Sequence, residues 1–133
     1  MPAGDARMDI FAYGTLMLKE IMERASGEGC TGRRALLPGY ERRAVRGEVY
    51  PGIVARPGGE VDGVVYTGLS ARAVERLDRF EGEPYLRSEV LVRCEDGVEI
   101  QAWAYVVKPE HEEMLAGEGW SFEDFLRNGR SQF

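Results

Sequence analysis

Hydrophobic and polar positions alternate along this chain in short blocks, and the period changes at recognisable punctuation. "MDIFAY" (residues 8–13) is an apolar run of strand length that stops at Gly14-Thr15. "LMLKEIMERA" then spaces Leu16, Leu18, Ile21 and Met22 at near-helical intervals, which predicts a short helix to about Ala25, ended by the breaker "SGEG". From Cys30 to Val45 the chain reads as extended but irregular, interrupted at Pro38-Gly39. "GIVARPGGEVDGVVYTGL" carries two apolar runs around Pro57-Gly58-Gly59 and predicts a hairpin. Ser70 is a good N-cap for "ARAVERLDRF", a helix with Val74, Leu77 and Phe80 set to face a core. "YLRSEVLVRC" (85–94) and "VEIQAWAYVV" (98–107) alternate on either side of Glu95-Asp96-Gly97, the strongest hairpin signal in the chain. Ser121, with Asp124 three residues on, opens a last short helix that stops at Asn128-Gly129.

Six or seven strands with two or three short helices make an α+β protein. Strands joined by hairpins, without strict βαβ alternation, predict a small mixed, largely antiparallel sheet able to curl into a β-barrel. No G-x-G-x-x-G follows a strand, so a dinucleotide-binding fold is excluded. The 133 residues suit one domain, taken as 8–133 behind a loose tail at 1–7.

Composition narrows the function classes. A net charge of -6, from 23 acidic and 17 basic residues, argues against nucleic acid, whose backbone demands a basic field. The local clusters "GRR" (32–34) and "ERRAVR" (41–46) read as solvated faces. No apolar run approaches the roughly 20 residues of a membrane helix, and the first residues do not pattern as a secretory signal. The expected location is the cytoplasm, with Cys30 and Cys94 reduced. Their spacing fits no metal or redox motif, and the single histidine, His111, completes no zinc set, so no metal is expected.

Two stretches are candidates for chemistry. At Tyr13-Gly14-Thr15-Leu16 a strand runs into a glycine and a helix start, where backbone N–H groups lack intrachain partners and favour negative charge. Gly14 permits close approach to the backbone, and Thr15 is placed either to cap the helix or to meet substrate. In "LDRFEGEPYLR" (77–87), Glu81 stands at a helix C-terminus, where the dipole raises a carboxyl pKa toward the range useful for a proton acceptor. Each stretch alone also fits plain punctuation or a solvated helix end.

Together they resemble the gamma-glutamylcyclotransferase-like family, which includes the plant avirulence-induced proteins and gamma-glutamylamine cyclotransferases. "YGTL" matches the end of that family's first strand, and "LDRFEGEPYLR" matches its Leu-Asp-x-Phe-Glu-Gly followed by Tyr-x-Arg. Between them, "LPGYERRAVRGEVYPGIVARPGGEVDGVVY" is similar to the plant subgroup's Pro-Gly, Tyr-Pro and Gly-x-Val/Leu-Tyr landmarks, and "WSFEDF" is a further echo. The resemblance implies a small β-barrel and a cofactor-independent acyl transfer: cyclisation of a gamma-glutamyl small molecule to 5-oxoproline, with release of an amine or amino acid. It implies Glu81 as the acid/base, with Glu83 unmatched. Tyr13, Gly14, Thr15 and Leu16 would hold substrate, Met17 extends their loop, and Tyr85 and Arg87 play supporting parts. Where some members carry Lys-x-Gly and a later Asn, this chain has "MLKEIMERASG", a departure that speaks against gamma-glutamyl-lysine. Two other readings stay open at this point: a non-catalytic module binding a small carboxylate in the same pocket, and a protein-interaction domain. The leaving amine and the oligomeric state are not specified by the sequence.

Overall fold

The computed structural model describes residues 7–132. Residues 1–6 of the expected tail lie outside the described residues; Arg7 is the first residue of strand β1 and pairs with Ser70. Among the described residues, five strands form the sheet: β1 (Arg7–Ala12), β2 (Thr31–Ala44), β3 (Pro51–Ser70), β4 (Tyr85–Cys94) and β5 (Glu99–Val107). They run in the order β1-β3-β2-β4-β5 and close into a barrel through a parallel pairing of β1 with β5 at Ile10 and Trp103. The other neighbours are antiparallel.

Strand alternation explains how one short sheet serves two cores. Phe11 and Tyr13 join Leu37, Ile53, Val65, Val92 and Ala104 in a cluster drawn from all five strands, which fills the barrel. Their neighbours Ile10 and Ala12 point the other way. There they pack with Ile21 and Met22 of helix α1 (Lys19–Ser26) and with Val74 and Leu77 of helix α2 (Ala71–Glu81). Residues 10–12 are therefore buried on both faces, which is why this strand reads as a continuous apolar run.

The β4–β5 hairpin turns where Asp96-Gly97 predicts, with the Cys94 N–H donating to the Val98 carbonyl at 2.8 Å. Ser70 caps α2 by accepting from the Ala73 N–H at 3.1 Å. Three expectations are corrected. Pro57-Gly58-Gly59 is no hairpin turn: both apolar runs lie in one strand, β3, and pair with β2, Pro38 opposite Glu60 and Tyr40 opposite Ala55. The extra residues form a bulge across from Gly39, with Gly58 at φ +81 where a side chain would be strained. That merger gives five strands rather than six or seven. The helix expected from Leu16 begins only at Lys19, because Thr15–Met17 is a tight 3-10 turn and Leu18 is extended. The last helix, capped by Ser121 as expected, does not stop at Asn128-Gly129 but continues as a 3-10 turn over Arg130–Gln132. Among the described residues, no helix is long and apolar enough to cross a membrane.

Candidate active site

One cavity of about 240 Å³ opens where β1 ends, between the 3-10 turn and the C-terminus of α2. Tyr13, Gly14, Thr15 and Leu16 line it, and so does Glu81, carried across by α2. Tyr85 is in its wall. Met17 and Arg87 are not. Met17 packs against the helical core, and its carbonyl accepts from the Tyr66 hydroxyl at 3.1 Å.

The turn is shaped by local sequence. In it the Met17 N–H donates to the Gly14 carbonyl at 2.9 Å, so the N–H groups of Thr15 and Leu16 have no acceptor within the turn. Gly14 also has a packing reason to be a glycine. A Cβ there would sit 2.8 Å from Cδ of Pro51, which forms another wall. Thr15 is buried and caps neither the turn nor α1 through its side chain.

Glu81 is the last residue of α2, with Gly82 turning the chain away behind it. Burial pushes its carboxyl up from an ordinary 4.5 to about 7. The cause is loss of solvation. Three of the phenols around it are held in the protonated form. Tyr13 donates to the Tyr105 carbonyl at 2.6 Å, Tyr85 to the Pro51 carbonyl at 3.0 Å, and Tyr105 to the Asp78 carboxylate at 2.7 Å. Burial raises all three phenol pKa values, followed by the charge of Glu81 for Tyr13 and Tyr85 and by Asp78 for Tyr105. Of the ionisable side chains lining the cavity, Glu81 is the one poised to exchange a proton near neutral pH.

Two arginines hold this arrangement from behind. Arg87 grips Asp78, one turn before Glu81, through Nε at 2.9 Å and a second nitrogen at 3.3 Å, and stacks on Trp103. Its part is to anchor the end of α2. Arg42 donates to the Tyr13 carbonyl and to the Asp62 carbonyl, both at 2.9 Å, and pairs with the Asp62 carboxylate. It also lies over the Trp120 ring, whose Nε1 donates to the Val49 carbonyl at 2.8 Å. One guanidinium thus ties the residue before Gly14 to the segment that carries Tyr50 and Pro51. Only 15% of its side chain is exposed, which corrects the reading of "ERRAVR" as a solvated face.

Sequence reasoning also misplaced Phe80. It lines the cavity mouth, 40% exposed, and is not a core residue. Tyr50, Pro51, Tyr105 and Met114 also line the cavity. For the first two a signal existed in the "YP" landmark; Tyr105 was hidden in ordinary strand alternation. Among the described residues, no three His, Cys, Asp or Glu side chains converge as a metal set.

The family model described as "Gamma-glutamyl cyclotransferase, AIG2-like" matches residues 10–122. The chain belongs to this family. Family membership brings gamma-glutamylcyclotransferase-like character and, with it, a small gamma-glutamyl molecule as the kind of substrate. AIG2-like protein C of Arabidopsis thaliana is 33% identical across all of this chain and 77% of its own length, and AIG2-like protein A of the same plant is 30% identical across 94% and 76%. The solution structure of an Arabidopsis thaliana protein, 27% identical, superposes with a TM-score of 0.78 over 100% of this chain and 81% of its own. A gamma-glutamyl cyclotransferase structure, 24% identical, has a TM-score of 0.68 over 77% and 68%, which is a likeness of fold.

Proposed function

We propose that this chain cyclises a gamma-glutamyl compound to 5-oxoproline and releases an amine, with Glu81 as the acid/base. The observation that carries the reading is a carboxyl with a pKa of about 7 in the same cavity as the Tyr13–Leu16 turn. The substrate brings its own nucleophile. Folding it so that the α-amine meets the γ-carbonyl replaces a bimolecular encounter by ring closure.

Glu81 takes a proton from the α-ammonium, the freed nitrogen attacks the γ-carbonyl carbon, and the bond from that carbon to the leaving nitrogen breaks. Over the whole reaction the α-nitrogen gives up two protons and the leaving nitrogen gains two, so Glu81 is restored. The Thr15 and Leu16 N–H groups serve substrate oxygens, the carboxylate or the developing oxyanion. Tyr13 and Tyr85 act as walls held rigid by their own hydrogen bonds. Met17 supports the turn from the core side, and Arg87 holds α2.

The test is 5-oxoproline release from gamma-glutamyl amino acids, gamma-glutamylamines and glutathione. Because Glu81 must start ionised, kcat/KM should rise with pH to a plateau with an apparent pKa near 7. A folded protein that binds these compounds and releases nothing would instead be a binding module for a small carboxylate.

A further inference from the structure

The cavity is divided by burial into a floor and a mouth. Phe11 to Leu16, Pro51, Tyr85 and Tyr105 are buried, whereas Tyr50, Phe80, Pro84 and Met114 are partly or well exposed, as is Glu81 between them. Of the four mouth residues other than Glu81, Phe80 and Pro84 flank Glu81 in one stretch and Tyr50 and Met114 come from two others; none carries a charge. Resting on the reading above, and with the gamma-glutamyl part on the floor, we infer that the mouth receives the leaving group and selects an uncharged, apolar primary amine, arylalkyl or branched alkyl.

The electrostatics follow from where the scissile nitrogen must lie. Glu81 has to reach that nitrogen within hydrogen-bond distance, roughly 3 Å. An α-amino acid leaving group carries its carboxylate on the carbon bonded to the same nitrogen, which brings it close to the Glu81 carboxylate. Among the described residues, no Lys or Arg lines the cavity to offset this repulsion. Lys108, near the mouth, is already engaged by Glu83 at 3.0 Å. Glu48, beside the Tyr50 phenol, adds negative charge. An apolar amine meets none of these costs, and it covers Phe80, a large hydrophobic side chain left 40% exposed at the entrance. A cationic tail is drawn toward Glu48, but that residue is exposed and its field is screened by salt, whereas the apolar walls contact the tail directly.

The experiment compares kcat/KM for gamma-glutamyl-benzylamine and gamma-glutamyl-isoamylamine with gamma-glutamyl-alanine, gamma-glutamyl-ε-lysine and gamma-glutamyl-putrescine. The apolar pair should lead by about tenfold or more, the scale on which an apolar pocket discriminates. Phe80→Lys, and independently Met114→Lys, should shrink that ratio or reverse it in favour of the alanine adduct. A charged leaving group turned over as well as benzylamine, or a ratio that neither substitution moves, overturns the inference. If no compound is turned over, the catalytic reading fails, and calorimetric titration of the same amides into the unaltered protein decides the mouth separately. Tighter binding of the benzylamine adduct than of the alanine adduct supports an apolar mouth, and the opposite order removes it.

Discussion

Two glutamates flank Gly82, and the structure gives them opposite lives. Glu81 ends α2 inside the cavity wall, where burial raises its carboxyl to about 7. Glu83, two residues on, is 81% exposed, and its hydrogen bond to Lys108 holds it below the usual carboxylate range. The residue type is the same and the backbone path between them is short. What separates them is the turn at Gly82, with φ +83, which ends the helix with Glu81 against the cavity and sends the chain outward. A carboxyl becomes a proton-transfer group through the solvent it loses, and an exposed ion pair two residues away is no substitute.

The sharpest break of this comparison is substitution of each partner in turn. Glu81→Gln should lower kcat/KM for 5-oxoproline formation by about 10²- to 10⁴-fold, while Glu83→Gln leaves it essentially unchanged; equal losses would show that the two environments do not matter. Arg42→Ala comes next. It frees the Tyr13 carbonyl and loosens the wall facing Glu81, so kcat should fall by about 10- to 100-fold, with the apparent pKa near 7 retained and Arg42→Lys recovering part of the loss. A collapse of the pH profile would mean that Arg42 acts on Glu81 itself.

Stability offers a smaller effect with a defined sign. The folded-state pKa of Glu81 lies above its ordinary 4.5, so the native state binds the proton more tightly. The associated stability is complete below about pH 4.5 and is lost as pH rises through about 7. Urea unfolding should therefore find Glu81→Gln gaining about 1–3 kcal/mol on the native protein between pH 4.5 and pH 8, the partial exposure of the residue limiting the size. A parallel pH dependence in the two proteins would contradict the burial of Glu81. The smallest effect belongs to the other glutamate: Lys108→Ala should return the Glu83 carboxyl toward its ordinary value, followed by NMR titration, with no change in Tm.

How much of this was legible from the chain depends on the range of the interaction. Ser70 and the α2 repeat, the Asp96-Gly97 turn, and the end of β1 at Gly14 are all written within a few residues, because caps, turns and alternation are local physics. Glu81 and the Tyr13–Leu16 turn were legible as a pair through resemblance, but neither stretch alone distinguishes a site from punctuation. The Pro57-Gly58-Gly59 reading failed because turn residues also make bulges, and the choice was settled by β2 offering a partner to both halves of β3. Arg42 failed for the same reason: its anchors, at Tyr13, Asp62 and Trp120, are distant in sequence.

The sequence by itself determined the α+β character, the bounds of α2 and of the β4–β5 hairpin, and which residues are chemically able to act. Tertiary structure decided that the barrel closes through β1 and β5, that Phe80 stands at an entrance rather than in a core, and that Glu81 loses enough water to titrate near neutrality. The physical reason is that propensity and hydrogen bonding to near neighbours are fixed by adjacent residues. Burial, and the pKa it sets, depends on segments that meet only after the chain has closed.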